Sequence, residues 1–214
     1  SRGGYGDRTT GLNLLASILA ALRLRDQTSE GQYVEVTLQR TGIWALASDV
    51  NAALFDRAQP EKTSRDLPAN PIWNCYQTKD GRWLLLVMPM ALPYWSKFCT
   101  MVERSDWRDD QRYATLPGLM EHGLALIEEI KAMFAAQDLA FWRDKLDQSG
   151  LIWEPVADLP EVVEDPALRE RGAYSFIVHE QAGAMEIVSA PFEIRGADIS
   201  VRGPAPDAGQ HTTE

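Results

Sequence analysis

Apolar positions near the start of the chain recur every three or four residues, a spacing that predicts an amphipathic helix which Thr9 or Thr10 caps. Leu14 and the intervening alanines widen this apolar stripe, so we expect the helix to lie inside a domain, against a sheet. Turn-forming residues 26–31 end the helix. The periodic positions are Leu12, Leu15, Ile18, Leu19 and Leu22.

The next segment, Gln32–Leu38, is alternating and β-branched, which predicts a strand. A second apolar helix follows at about residues 42–55. Helix, strand, helix is typical of an α/β layer with a mostly parallel sheet. Since one strand cannot form a sheet, we expect the partner strands to come from elsewhere.

Residues 57–70 are polar and contain proline, which predicts a linker or a long loop. Residues 73–78 and 82–87 then flank Lys79-Asp80-Gly81, the pattern of a β-hairpin whose glycine takes a positive φ. Pro93 opens a further helix. Amphipathic helices are predicted at about 119–136 and 139–148, the second ended by Gly150.

Shorter elements follow Gly150. Asp165-Pro166 begins a small helix that ends near Gly172. Residues 176–179 and 185–188 predict a second hairpin around residues 182–184. The tail from Ile194 is rich in Gly, Pro and Ala, and we expect it to wrap over a neighbouring element.

Composition favours a packed globular protein over a disordered one. The chain has 214 residues, 45% hydrophobic, with seven Trp, six Tyr and six Phe. A formal net charge of −10 argues against non-specific binding to nucleic acid or to an anionic membrane. It leaves room for an anionic ligand such as coenzyme A, because a helix N-terminus or a few arginines can hold phosphate. No apolar run approaches the roughly 20 residues that cross a bilayer.

The two cysteines, Cys75 and Cys99, suit neither a disulfide framework nor a zinc site by their spacing. We therefore expect a reducing, cytoplasmic location. The three histidines are scattered without metal-ligand spacing, so no metal site is predicted.

From the sequence of its two ends, we expect this chain to be a piece of a longer protein. The first residue is Ser1 rather than Met, and a glycine turn, Gly3-Gly4-Tyr5-Gly6, follows at once. The sequence stops as abruptly at Glu214. Processing or cloning boundaries are the alternative explanation.

Three stretches, in order, resemble a known family. The first is Gly6-Asp7-Arg8-Thr9-Thr10-Gly11 with the helix and segment that follow, and the second runs from Asn70-Pro71 to Arg82-Trp83. The third is Asp165-Pro166 with Arg171-Gly172, and then residues 209–212. Together they resemble the C-terminal half of a family III CoA-transferase, a family that includes carnitine and formyl-CoA transferases and α-methylacyl-CoA racemases.

The resemblance implies an α/β fold in which a large Rossmann-like domain, incomplete here, accompanies a smaller α+β domain. It also implies subunits interlocked as a homodimer. Residues 1–56 would be the second part of the large domain, 57–70 a linker, 71–150 the small domain, and 151–214 a segment that returns to the large domain.

The resemblance further implies a CoA-transferase that moves CoA between an acyl-CoA and a carboxylic acid. In such transferases an aspartate attacks the thioester, and the family places that aspartate upstream of the glycine-aspartate segment. We therefore expect no catalytic residue in this chain, and no activity from the chain alone. The CoA thioester is a substrate, and no tightly bound cofactor or metal is expected.

Six residues are candidates for an active-site mouth. Asp7 is interpreted either as a helix cap or as a substrate contact. The glycines form either an ordinary turn or a place where the backbone approaches a ligand closely. We interpret the methionines either as core residues or as the lining of an acyl pocket. The candidates are Gly4, Gly6, Asp7, Asn70, Met88 and Met90.

At two places the sequence departs from the patterns of particular members of this family. Racemases place a glutamate just after the first small-domain hairpin, where this chain has Val87–Ala91 without a carboxylate. Formyl-CoA transferases place a glycine-rich loop before the hairpin, where residues 65–71 contain no glycine. An acyl-CoA racemase or epimerase, and a non-catalytic fragment or partner subunit, are the alternatives to a transferase.

Overall fold

The computed structural model describes residues 3–59, 64, 66, 68, 70–210 and 212, without the side chains of Met120 and Leu124. The chain divides into two compact units, residues 1–63 and 64–214. This division falls inside the predicted linker, 57–70, much of which lies outside the described residues.

The first unit contains three helices: α1 (Tyr5–Thr28), α2 (Leu38–Ala45) and α3 (Ala47–Asp56). The predicted first helix is confirmed but begins earlier, after Gly4, so a cap at Thr9 or Thr10 was wrong. The Thr9 hydroxyl lies inside the helix and donates to the Tyr5 carbonyl at 2.8 Å. At the other end Ser29 adopts the left-handed conformation, and its N–H donates to the Arg25 carbonyl.

The predicted second helix is present as two helices that meet at Leu46. Its φ of −101° and ψ of 25° depart from helical values and bend the chain there. The helical ladder continues across the bend, because the N–H of Val50 donates to the Leu46 carbonyl at 2.9 Å. α2 begins at Leu38, since the Thr37 hydroxyl accepts from the N–H of Arg40 and caps it.

The predicted strand at Gln32–Leu38 was wrong for this structure. Residues 32–37 form no strand, although Thr37 has an extended conformation, and Leu38 already belongs to α2. A strand requires a hydrogen-bonded neighbour, and the described residues of the first unit supply none. Among the described residues of its own unit α1 therefore has no sheet to pack against, and none of its residues is buried.

The second unit contains a three-stranded antiparallel sheet. The predicted first hairpin is confirmed as β1 (Cys75–Gln77) and β2 (Trp83–Leu86), and Gly81 has a φ of 75° in its turn. A third strand, β3 (Trp153–Pro155), pairs with β2. Residues just beyond Gly150 therefore belong to the same sheet as the hairpin, which the sequence pattern did not predict.

Four helices pack beside this sheet: α4 (Leu92–Met101), α5 (Ser105–Asp109), α6 (Leu116–Phe134) and α7 (Leu139–Ser149). The helices predicted from Pro93, at 119–136 and at 139–148 are confirmed, with Pro93 in the first turn of α4 and Gly150 left-handed after α7. Phe134 lies at the centre of the core, its ring 5.2 Å from Tyr76 and 4.7 Å from Trp142.

The turn of the first hairpin is attached to the start of α7. The N–H of Leu139 donates to both carboxylate oxygens of Asp80 at 3.3 Å, and the N–H of Lys79 donates to the Gln137 carbonyl at 3.0 Å. Asp138, the residue at the helix cap, makes no side-chain cap hydrogen bond. Asp80 thus caps α7 from a distant part of the sequence.

The remaining elements are α8 (Leu159–Glu164), α9 (Pro166–Glu170), β4 (Tyr174–His179) and β5 (Gly183–Val188). The small helix after Asp165 and the second hairpin are confirmed, whereas α8 was not predicted. Arg82 at the hairpin bonds to Glu161 of α8 at 2.7 Å. In the part of the chain that the structure describes, no helix is long and apolar enough to cross a membrane.

Replacing Phe134 tests whether the aromatic cluster holds the second unit together. We expect Phe134→Ala to lower the free energy of unfolding by about 3–5 kcal/mol, because Phe134 is fully buried and its removal leaves a cavity. Urea unfolding measures this loss. Phe176→Ala is the matched control, since Phe176 is 68% exposed; a comparable loss there would contradict the assignment.

The Asp80 cap predicts a dependence of stability on acid. The hydrogen bond from the Thr78 hydroxyl, with a smaller contribution from the N–H of Leu139, holds the pKa of Asp80 below its usual value. A lowered folded pKa stabilises the protein above the unfolded pKa of about 3.9, and this stabilisation is lost as pH falls through the folded value. Asp80→Asn should therefore melt below wild type at pH 7, and the gap should close in acid. A gap independent of pH would contradict the cap.

Candidate functional site

Gly4 sets the backbone at the start of α1. Its φ of 81° is left-handed, a conformation that favours glycine. Gly6 has ample space, because a Cβ there would lie 3.9 Å from the nearest atom, on Leu38. The conformational requirement for glycine in this turn therefore lies at Gly4.

Asp7 lies in the first turn of α1 rather than before the helix. The cap position belongs to Gly4, so the placement of Asp7 just before the helix start was wrong. The side chain is exposed, in a position where the helix dipole favours a negative charge. The carboxylate is thus presented to solvent beside the glycine turn.

Asn70 joins the segment before the first hairpin to the segment after it. Its side-chain N–H group donates to the carbonyls of Met88 at 2.8 Å and Pro89 at 3.3 Å. Its side-chain oxygen accepts from the N–H of Ile72 at 3.0 Å. We call this arrangement the Asn70 clamp. Because the amide is buried and engaged at both ends, it positions residues 88–89 rather than offering a free group to a ligand.

The two methionines on this segment have opposite environments. Met88 is fully buried in the core, whereas Met90 is 72% exposed. The clamp therefore holds a short segment whose one end is anchored in the core and whose other end presents a thioether to solvent. Between Asp80 and Glu103 the chain contains no carboxylate, so neither end brings an acidic group.

Several clefts lie elsewhere in the two units. A cleft of about 490 Å³ beside β1 includes Cys75 and Lys131, and one of about 480 Å³ between α4 and α7 includes Lys145. A cleft of about 600 Å³ lies beside β4 and the segment after β5, and one of about 240 Å³ lies beside α2. None of these four is lined by a residue of the predicted mouth.

One lysine in each of two of these clefts, Lys131 and Lys145, is already paired with a carboxylate. Lys131 bonds to Asp66 at 2.8 Å and Glu128 at 2.9 Å, which raises its pKa. Lys145 bonds to Glu103 at 2.6 Å, and this bond lowers the pKa of Glu103. A substrate carboxylate would have to displace one of these partners to bind either lysine.

The sequence profile of CoA-transferase family III matches residues 1–212 of this chain. The chain belongs to CoA-transferase family III. Two relatives are named as CoA-transferases. The (R)-2-hydroxy-4-methylpentanoate CoA-transferase of Clostridioides difficile is 28% identical over 214 residues, which cover 99% of this chain and 52% of the relative. The formyl-CoA:oxalate CoA-transferase of Rhodopseudomonas palustris is 26% identical over 238 residues, covering 98% of this chain and 54% of the relative.

A solved structure shares the fold. The CAIB/BAIF family protein from Brucella suis has a TM-score of 0.79 at 20% identity, over 99% of this chain and 54% of that protein. The chain thus spans about half the length of the family III proteins it matches.

Within this family III chain, the predicted mouth falls into two groups. Gly4, Gly6 and Asp7 lie together at the start of α1. Asn70, Met88 and Met90 belong to the clamp. That all six residues border one active site stays a prediction.

Hydrogen bonds show what the residues of the first hairpin turn do, a stretch that in the sequence served only to indicate the family. Within the turn, the Thr78 hydroxyl donates to Asp80. Asp80 accepts from the start of α7, and Arg82 bonds to Glu161 of α8. Their part here is to hold elements together. An aspartate before a turn glycine is the signal that could have predicted this.

Thiols and imidazoles offer no catalytic cluster in the described part of the chain. Cys75 and Cys99 are both free, and burial raises the pKa of Cys99 to about 12, which keeps it protonated and inert. No group of three His, Cys, Asp or Glu side chains among the described residues could hold a metal. His211 lies outside the described residues.

Replacing Asn70 by aspartate tests the clamp. The change keeps the shape but turns the donor into an acceptor that faces the carbonyls of Met88 and Pro89. At pH 7 we expect a loss of about 3 kcal/mol in the free energy of unfolding, because a buried, unpaired carboxylate is costly. Urea unfolding measures it, and Asn51→Asp, at an exposed position of α3, is the control.

The same variant predicts the sign of a pH effect. A carboxyl group buried against carbonyls has a raised folded pKa, since burial and negative partial charges favour its neutral form. The deficit relative to wild type should therefore be smallest below the unfolded pKa of about 3.9 and should grow as pH rises towards the folded value. A deficit that shrinks with rising pH would show that Asn70 faces a cation instead.

Proposed function

We propose that this chain is part of an enzyme that moves CoA between an acyl-CoA and a carboxylic acid. Membership of CoA-transferase family III over residues 1–212 is the basis of the proposal. The segment held by the Asn70 clamp favours transfer over racemization, because residues 81–102 contain no carboxylate.

The chemistry of the two reactions explains why this segment is informative. Transfer through a covalent intermediate needs one carboxylate nucleophile, which attacks the thioester and releases CoA as a thiolate. Racemization removes and returns the α-proton, which requires acid and base groups. In the racemases that this chain resembles, a glutamate after the hairpin assists that relay. The thioether of Met90 can neither accept nor donate a proton.

The nucleophile, on this proposal, lies in the part of a family III protein that this chain does not span. The chain covers 52% of the hydroxy-acid transferase and 54% of the formyl-CoA transferase. It contributes the α1 glycine turn and the clamped segment, and the chain by itself does not transfer CoA. A Rossmann-like large domain and an interlocked homodimer complete the proposed enzyme, which we place in the cytoplasm because both cysteines are free thiols.

For the substrate we propose a carboxylic acid larger than formate or oxalate. The match to the formyl-CoA:oxalate relative runs over 238 positions, more than the 214 residues of this chain, so that relative carries inserted residues. The match to the (R)-2-hydroxy-4-methylpentanoate relative runs over 214 positions. The absence of glycine from residues 65–71 agrees with a different cover over the acyl group. An acid with a short branched chain is therefore the preferred substrate class.

Trapping the intermediate tests the reaction type. In the protein extended upstream to family length, incubation with an acyl-CoA should form an enzyme-bound CoA thioester that hydroxylamine or borohydride captures. The 214-residue chain alone is the control and should form none. Mass spectrometry of the intact protein detects the adduct.

A racemase would behave differently. It would exchange the α-hydrogen of its substrate with deuterated solvent without any acceptor acid. Solvent deuterium at the α-carbon, with no trapped adduct and no dependence on a second carboxylic acid, would show that the transferase proposal is wrong.

A further inference from the structure

The cleft between α4 and α7 carries a positive charge on a strongly acidic chain. Its charged lining residues are two cations, Lys97 and Lys145, and one anion, Glu103. The chain as a whole has a net charge of −10. The cleft has a volume of about 480 Å³, which lies within the range of small-molecule sites. All of its lining residues belong to the second unit.

Lys97 is the cation of this cleft that forms no ion pair in the described part of the chain. Its ammonium nitrogen lies 5.9 Å from the centre of the Tyr94 ring. It also lies beside Gly150, where an added Cβ would be 3.9 Å away. Because Gly150 ends α7, the ammonium faces the negative end of that helix dipole. A helix end is equivalent to roughly half a unit charge, so a positive excess remains available to an anion.

Neutral hydrogen-bond donors from both helices line the same cleft. The hydroxyl of Ser96 and the side-chain amide of Gln148 bond to none of the described residues. The other two hydroxyls are engaged, since Thr100 donates to the Ser96 carbonyl at 2.8 Å and Ser149 donates to the Leu146 carbonyl at 2.7 Å. An ammonium, a free hydroxyl and a free amide are donors suited to an oxyanion.

Glu103 holds a backbone conformation that glycine normally takes. Its φ of 61° is left-handed, and it directly follows the cap of α4. The N–H of Arg104 donates to the Cys99 carbonyl at 2.8 Å, the pattern of a helix end in which glycine is the usual left-handed residue. Here the residue is a glutamate, and its carboxylate bonds to Lys145 at 2.6 Å. Non-glycine residues held in this conformation are concentrated at functional sites.

We propose that this cleft binds a small oxyanion with more than one negative charge, either a phosphate or a polycarboxylate. Lys97 is the principal cation of the site, and Ser96 and Gln148 are its neutral donors. Lys145 contributes less, because Glu103 neutralises it. The site is separate from the predicted mouth, none of whose residues line the cleft. The inference therefore stands apart from the proposed function.

The charge of the chain favours a small anion over a large one. A net charge of −10 repels a nucleic acid or an anionic membrane over the whole surface. At physiological salt the screening length is about 8 Å, so an ion inside the cleft interacts mainly with the charges nearest to it. Those charges have a positive sum.

Titration of the 214-residue chain tests the site, with inorganic phosphate in one series and citrate in another. At low ionic strength we expect calorimetry to show saturable binding of a single equivalent. The amide NMR signals of residues 96–97 and 148–149 should move on saturation, and those of residues 79–82 in the hairpin turn should not. Tighter binding of citrate would identify a polycarboxylate site, and tighter binding of phosphate a phosphate site. No saturation by either ion, or signals that move only elsewhere, would overturn the proposal.

Removal of one lysine charge tests the role of Lys97. Lys97→Met keeps the apolar stem and should weaken binding about fivefold, the factor that one unit charge at contact distance contributes in water. Lys79→Met is the matched control, because Lys79 is also exposed and also forms no ion pair with the described residues, but lies outside the cleft. Binding to this control should equal that of wild type, and an equal loss in both variants would contradict the site.

Glu103→Gly should change the affinity in the opposite direction. Glycine suits the left-handed backbone, so the variant should fold, and removal of the carboxylate frees Lys145 for the anion. We expect binding to become about threefold tighter. If Lys97 only balanced the end of α7, Lys97→Met would lower the melting temperature equally with and without the anion, and Glu103→Gly would leave the affinity unchanged. Either result would refute the anion site.

Discussion

Phe134 connects the sheet of the second unit to its helices. Its ring lies against Tyr76 of β1 and Trp142 of α7, and its carbonyl accepts a hydrogen bond from the Trp142 indole at 3.0 Å. Tyr76 is itself buried, and its hydroxyl donates to the Pro71 carbonyl. Through these contacts the end of α6 fixes α7, β1 and Pro71, the residue next to Asn70. The Asn70 clamp in turn holds residues 88–89.

Polar contacts at the edge of the second unit attach the first hairpin to further elements, in addition to the aromatic cluster. Asp80 caps α7 and Arg82 bonds to Glu161, so the hairpin turn is attached to two elements distant in sequence. Glu161 also accepts from the N–H of Asp158 in the capping box of α8, so the same carboxylate ends one helix and bonds the hairpin. A sequence motif that marks a family can thus hold distant elements of its fold together.

Local patterns predicted the second unit well, because its elements are determined by nearby residues. Gly81 and Gly150 end their segments with positive φ values, and apolar periodicity predicted α6 and α7. What local reasoning missed depends on distant contacts: β3 exists because β2 offers it an edge, and α8 because Asp158 and Glu161 cap it. Nor could the sequence predict the environments of Met88 and Met90, since the two residues are of the same type but differ in burial.

Errors in the first unit have a different cause. Val34 and Val36 have the alternation of a strand, but alternation does not make a ladder, and the described residues of the first unit form none there. The apolar stripe of α1 likewise satisfied the criterion for a buried helix, yet its leucines and Ile18 are exposed. In both places the pattern predicts a neighbour that the described residues of the first unit do not provide. Apolar periodicity therefore indicates which residues a helix or strand would bury, but not what would cover them.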